Sequence, residues 1–333
     1  MLLPMPKNVC EPLTMADTAT FLPAPSVSVI IPTFRRPEGL ARALASVVAQ
    51  TGTRSAITII VCDNSPEASA RAQVVAFGRT SPLPVTFVHE PNPGVANARN
   101  SAVAACFADF IAFLDDDEEA PALWLSQLLG TQAKLRADVV FGPVSARLAE
   151  TGSRFDPYFN QFFSRQGARG DERLGVYYGC GNSLIRRAVL PAHEPFSVVQ
   201  NDMGGEDDQL FHGLMSGGAV MAWSADAVVH EDVPQSRSTL DYTLRRAFAY
   251  GQGPSYTAAL DGRYLACAGW MLQGIAQMLL FGALGGLLLA LGRADAAPRL
   301  DKAARGFGKL LWFPPFKIGF YGTALLKAKP AGR

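Results

Sequence analysis

The stretch Asp109-Phe110-Ile111-Ala112-Phe113-Leu114-Asp115-Asp116-Asp117-Glu118-Glu119 joins an apolar run to five consecutive acids. The run reads as a buried strand, so the acids stand at its end, where open α/β sheets bind their ligands. Two unit charges about 4 Å apart repel by roughly 4 kcal/mol at an effective dielectric near 20. Carboxylates crowded beside a core therefore call for a cation, and a divalent metal is the expected one. A charged helix start is the competing reading, because acids and Pro121 suit a first turn and Trp124 and Leu128 follow at helical spacing. Glu118 and Glu119 are expected to serve that helix, whereas three aspartates exceed what capping needs.

Outward from this stretch, short apolar strands alternate with helical patterns, the signature of a mostly parallel sheet. Strands are expected at residues 27–31, 57–62, 85–89, 109–114 and 139–141, with helices over 38–50, 69–77, 95–106 and 120–135. No GxGxxG follows the first strand and no GxxxxGK[ST] occurs, which excludes the phosphate cradles of dinucleotide and P-loop folds. Residues 151–175 read as irregular binding loops. A short apolar stretch at 182–185, a helix at 207–215, a strand at 219–223 and a helical pattern over 240–250 complete this part.

Several polar groups share the strand-end edge with the acids. Thr33 with Arg35 and Arg36 follows the first strand and suits a base or phosphate; Asp63 follows the second and suits a nucleobase or ribose, or a plain turn. Arg99 lies early in a helix after Asn92-Pro93-Gly94, where an anion is favoured, although a surface ion pair explains it equally well. The run Gly204-Gly205-Glu206-Asp207-Asp208 opens another helix, as a cap or as the carboxylate that takes a proton from an attacking hydroxyl. His230 ends an apolar stretch and is either a metal or phosphate ligand or an ordinary strand histidine.

Composition bounds the rest. The chain has 333 residues, 49% of them hydrophobic, and a net charge of +1, so it is long enough for two parts and carries no signature of nucleic-acid binding. Its five cysteines (Cys10, Cys62, Cys106, Cys180 and Cys267) form no CxxC pair, which speaks against a zinc site or a disulfide framework and for a reducing compartment. Residues 1–25, with five prolines, read as a flexible leader; 26–250 form the catalytic part and 251–333 a membrane-associated helical region. No charge occurs between Arg263 and Arg293, and residues 268–291 as a helix would span about 36 Å against a hydrocarbon core of about 30 Å. Gly282 and Gly286 have the spacing of a close helix contact. The tail beyond is basic, which keeps it in the cytoplasm. A re-entrant or interfacial segment over 310–326, interrupted by Pro314-Pro315, is then more economical than a single crossing.

The ordered motifs "VSVIIPTFRRPEGL", "IIVCDNS", "NPGVANARNSAV", "DFIAFLDDDEEA", "YYGCGNSLIRR", "GGEDDQLF" and "VVHEDVPQSR" cover residues 26–250. In them the chain resembles the inverting family 2 glycosyltransferases with a GT-A fold, especially bacterial exopolysaccharide enzymes of the succinoglycan type. The resemblance implies a UDP-sugar donor, with Asp63 at the uracil end, Asp115 and Asp116 near ribose and diphosphate, and Asp117 holding Mn²⁺ or Mg²⁺. It implies Asp207 as catalytic base, Arg99 and His230 beside the nucleotide and diphosphate, and Arg245 or Arg246 in support. A lipid-linked saccharide acceptor, other polysaccharide-assembly proteins as partners and the cytoplasmic face of the bacterial inner membrane follow from it. Glu118 and Gln209 depart from the usual pattern, which bears on the metal shell. The QxxRW motif of processive synthases is replaced by "YTLRRAFAYG", so addition of a single hexose, glucose first, is expected. A sugar nucleotidyltransferase is an alternative, although it usually has a basic glycine-rich loop where this chain has only Gly39; a non-catalytic metal-binding membrane scaffold is another.

Overall fold

The computed structural model describes residues 24–200 and 205–318. The leader up to residue 23 and residues 319–326 of the expected interfacial segment lie outside the described residues.

The first strand, β1 (Val27–Thr33), is buried along almost its whole length. A near-continuous apolar run belongs on a central strand because helices cover both faces of the sheet. After it comes α1 (Pro37–Val48), where Pro37 presets the opening turn and Leu40, Ala43, Leu44 and Val47 form the buried stripe. Gly39 lies on the side of α1 that presses on the acidic loop: a Cβ there would collide with the carbonyl oxygen of Asp116. Its smallness therefore serves packing, not a phosphate cradle. The unit repeats as β2 (Ile57–Asp63), α2 (Arg71–Thr80), β3 (Val85–His89) and α3 (Val95–Ala104), and β4 (Phe110–Phe113) then pairs with the other side of β1.

Beyond it lie β5 (Glu118–Glu119), α4 (Trp124–Leu135), β6 (Val139–Phe141), β7 (Val144–Leu148), α5 (Asp156–Phe163), β8 (Glu172–Leu174) and β9 (Ser183–Arg186). Next come α6 (Glu206–Ser216), β10 (Met221–Trp223) and β11 (Val229–Val233). The large sheet has eight strands in the order β3-β2-β1-β4-β9-β6-β10-β8; its first four are parallel, and β9 and β8 run against their neighbours. Alternate residues serve alternate faces. Val27, Val29 and Ile31 pack with α1, α2 and α4, while Ile30, Ile60, Ile111 and Phe113 pack with α3 and α6.

A second sheet, β5-β11-β7, corrects the expectation for two of the acids. Glu118 and Glu119 do not open a helix. They pair antiparallel with Glu231 and His230, and α4 opens only at Trp124. The "irregular" stretch 151–175 also holds α5, whose Tyr158 and Phe159, with Phe155 just before the helix, form a cluster with Ala296 and Ala297.

Among the described residues three long helices follow: α7 (Leu240–Leu260), α8 (Tyr264–Ala290) and α9 (Ala296–Leu310). The helical pattern expected over 240–250 thus runs ten residues further, through Pro254, and the apolar helix begins at Tyr264. Backbones of α8 and α9 meet closely at Gly274 and Gly306, where added Cβ atoms would fall 2.6 Å and 2.7 Å from the opposing carbonyl oxygens. Gly282 and Gly286 do not make that contact; among the described residues, the nearest atom to a Cβ at Gly282 is 3.9 Å away.

Candidate active site

Parallel register sets the cleft. Thr33, Asp63 and His89 are paired across β1, β2 and β3, so these strands end at one level, and the acids after β4 reach the same edge. Thr33 Oγ1 donates to Asp116 Oδ2 at 2.8 Å, and the Phe34 amide reaches the same oxygen at 3.4 Å. Arg36 donates to Asp116 Oδ1 at 2.9 Å and to Asp117 Oδ2 at 2.6 Å. Asp117 also receives Arg237 at 3.3 Å, and Arg237 lies 3.7 Å from Glu231.

The five acids therefore differ in task. Asp116 is buried and saturated by its own protein. Asp115 keeps 40% of its side chain exposed at the floor of the cleft, 3.8 Å from Arg99. Burial raises its proton affinity, Arg99 opposes that, and Asp117 adds to it. Glu118 is buried and accepts the Asp115 amide at 2.9 Å; burial, then the Asp115 charge, pushes its carboxyl well above the usual range. Glu119 points outward to Arg147.

Facing the acids is the start of α6. Glu206 is buried in an ion pair with Arg99, which also stacks over the Phe196 ring at 5.6 Å. Burial, opposed by Arg99 and reinforced by Asp207, brings Glu206 up to about 7. Asp207 Oδ2 accepts the Cys180 amide at 3.0 Å, which fixes it against the loop 179–182. Arg165 builds that loop, donating to the carbonyls of Gly142, Gly179, Gly181 and Asn182 at 2.6–3.0 Å. Asn182, at a φ of 50°, bonds Pro143, Ala227 and the Trp124 indole.

The structure thus brings together Thr33, Arg99, Asp115, Asp116, Asp117 and Asp207. Asp63 is fully buried beneath the neighbouring loop, its oxygens accepting the Ser65 amide at 2.9 Å and the Ala70 amide at 2.6 Å. Arg35 sits at the rim in a two-bond pair with Glu67. On β11 alternation sends Glu231 towards Asp117 and turns His230 to the opposite face. Burial, then Asp117 and Asp115, pushes Glu231 up to about 8. Of the α7 arginines, Arg245 pairs with Asp241 outside, and Arg246 donates to Tyr250 and adds positive potential at Glu231.

Arg165, Glu231 and Arg237 were not singled out from sequence. Strand alternation applied to "VVHEDV" would have separated Glu231 from His230. Arg165 carries no local signal, because its partners are backbone carbonyls.

Known proteins resemble this chain in the same region. Residues 28–193 match the Glycosyl transferase family 2 profile. The succinoglycan biosynthesis protein ExoM of Rhizobium meliloti is 36% identical over 229 residues, covering 68% of this chain and 73% of its own. The chain belongs to glycosyl transferase family 2. It is therefore a glycosyltransferase, with a nucleotide-sugar donor and a saccharide acceptor. The glycosyltransferase AglE of Haloferax volcanii is 24% identical over 258 residues, 75% of this chain and 81% of its own. The UDP-Glc:alpha-D-GlcNAc-diphosphoundecaprenol beta-1,3-glucosyltransferase WfgD of Escherichia coli is 29% identical over 109 residues, 33% of this chain and 40% of its own.

The donor set of this family 2 site fits a hard divalent cation. Asp115, Asp117 and Glu231 offer carboxylate oxygens; besides burial, the Asp117 charge raises the proton affinity of both Asp115 and Glu231, as carboxylates short of positive charge do. Among the described residues no three His, Cys, Asp or Glu side chains form a ready cage. Mg²⁺-type ions usually take one or two carboxylates and leave the remaining positions to water and substrate phosphates.

Proposed function

We propose that this glycosyltransferase moves one hexose, glucose first, from a UDP-sugar to a lipid-linked saccharide with inversion at the anomeric carbon. It serves exopolysaccharide or other cell-surface polysaccharide assembly, beside other assembly proteins, on the cytoplasmic face of the bacterial inner membrane. The observation that carries the reading is the convergence on one cleft of the Asp115–Asp117 run and Asp207, with Arg99 between them. The names of two relatives add direction: one acts in succinoglycan biosynthesis, and another takes UDP-Glc and a diphosphoundecaprenol-linked sugar. The apolar α8 supports work at a membrane.

In this reading Thr33, Arg35 and Asp63 frame the nucleotide end, Asp63 by shaping the loop after β2, and Asp115 and Asp116 flank ribose and diphosphate. Asp117, with Asp115, holds Mn²⁺ or Mg²⁺, and Glu231 rather than His230 is the β11 side chain aimed at it. The ion, when bound, supplies positive charge to the leaving diphosphate. Asp207 is the base: it accepts the proton of the acceptor hydroxyl as that oxygen forms its bond to the anomeric carbon and the sugar–diphosphate bond breaks. Arg36 offers guanidinium donors where negative charge grows, and Arg99, held by Glu206, adds its positive charge beside Asp115.

The test is transfer onto lipid extracts from a panel of UDP- and GDP-sugars, with Mn²⁺ and after chelation. Transfer from UDP-glucose that stops on chelation is expected. Pyrophosphate release from a nucleoside triphosphate and a sugar phosphate would replace this reading with a nucleotidyltransferase.

A further inference from the structure

We propose that α8 does not cross the bilayer but lies along its surface, as the outer layer of an α7–α9–α8 stack whose occupant is a membrane with anionic headgroups. This deepens the membrane part of the proposed function and rests on it.

By length and composition α8 is able to span: 27 residues make about 40 Å of helix. Its neighbours forbid it. Antiparallel α9 accompanies α8 from Gly274, opposite Gly306, to Gly285, opposite Leu300. A crossing α8 would thus carry Asp301, Lys302, Arg305 and Lys309 to membrane depth, where ionised side chains are costly. Moreover, α9 is fastened to the catalytic domain at its middle: Tyr158 of α5 donates to Asp301 Oδ2 at 3.1 Å, and α5 itself is tied to β7 by Asn160 Nδ2 to the Ala146 carbonyl at 3.0 Å. The section of α8 level with Asp301 therefore lies at the flank of a water-soluble domain, not in hydrocarbon.

The side of α8 away from α9 is apolar and bare, with Leu265 at 92% and Leu272 at 67% exposure. Alone, α8 lacks the polar face of an interfacial helix. The stack supplies it: α9 is the polar backing, and Lys302 and Lys309 lean back over the Phe281 and Trp270 rings at 5.1 Å each, along the seam between the two helices. Arg263 and Arg293 mark the two ends of α8, exposed and paired with Asp261 at 2.8 Å and Asp295 at 3.8 Å. Apolar side chains outward, with exposed Lys302 at the seam, complement acyl chains under anionic phosphates, whereas Lys309 is buried and donates to Gln277 Oε1 at 3.0 Å. The stack also joins the cleft directly, since α7 begins just after Arg237, the partner of Asp117.

The test is sidedness in the full chain carrying Cys10→Ser. Arg263→Cys and Arg293→Cys are labelled separately with a membrane-impermeant maleimide, in inverted vesicles and in spheroplasts. In-plane α8 makes both positions reactive in inverted vesicles and both protected in spheroplasts; reaction from opposite sides overturns the proposal. Flotation with phosphatidylglycerol-containing vesicles is the second measurement. Leu265→Asp with Leu272→Asp should cut bound protein at least tenfold with an unchanged melting temperature. Full flotation of that variant, or a soluble parent whose α8 is covered by a second copy, would equally overturn it. Sugar transfer assayed in detergent is independent of these readouts, so loss of the topology leaves the transferase reading standing, and the reverse.

Discussion

Two arginine–carboxylate clusters face each other across the cleft, and they differ in how far water reaches them. Arg36 is 41% exposed and shared between Asp116 and Asp117, with Arg237 beside it. Arg99 and Glu206 are both buried, and among the described residues Arg99 Nε and Glu206 Oε2 have no hydrogen-bond partner. A half-exposed arginine is free to exchange a carboxylate for a diphosphate when substrate arrives. A buried pair is committed: Arg99 is answered by Glu206 and, at 3.8 Å, by Asp115, and removing one partner typically costs 3–5 kcal/mol, of which about 3 is a fair minimum. The first cluster is thus suited to binding, and the second to holding the start of α6, and with it Asp207, in place.

The largest effect that would sharpen this division concerns the proposed base. Asp207→Asn should lower kcat by about 10²–10⁴-fold while leaving the melting temperature and donor KM nearly unchanged, because its contact with the Cys180 amide survives. Unaltered turnover would move the base elsewhere. Next is stability on the α6 side: Arg99→Ala should cost about 3 kcal/mol or more in denaturant unfolding, and Glu206→Gln, which keeps a hydrogen bond, clearly less. Equal small losses would break the contrast. Arg36→Ala should cost less stability than Arg99→Ala, because Asp116 keeps the Thr33 hydroxyl and Phe34 amide, while raising donor KM, which steady-state kinetics would register.

Much of this was legible in the chain. Parallel strands announce themselves as apolar runs, and the acids after Leu114 mark the ligand edge, because both signals are local and periodic. What stayed hidden depends on distant pairing. Glu118 reads as a helix start until β11 is known to lie beside it. Asp63 reads as a free ligand until the loop to Ala70 folds over it. The sequence of the long apolar helix says nothing of α9, which packs beside it from Gly274 to Gly285. Glycine spacing likewise named Gly282 and Gly286, whereas contact is set by the face turned to α9, at Gly274 and Gly285.

A last effect tests whether the binding side really is short of positive charge. Glu231 titrates at about 8 in the folded protein against an ordinary 4.5, so the native state holds its proton more tightly than the unfolded chain. The stability this provides is complete below about pH 4.5 and is lost as pH rises towards 8. The melting temperature of metal-free protein should therefore fall over that window, and Glu231→Gln, which stays neutral, should flatten its upper part. Mn²⁺ should flatten it too, because a cation between Asp115 and Asp117 favours the ionised carboxylates. A wild-type slope that Glu231→Gln leaves intact would mean that the proton is held elsewhere, and the cleft's charge deficit would have to be reassigned.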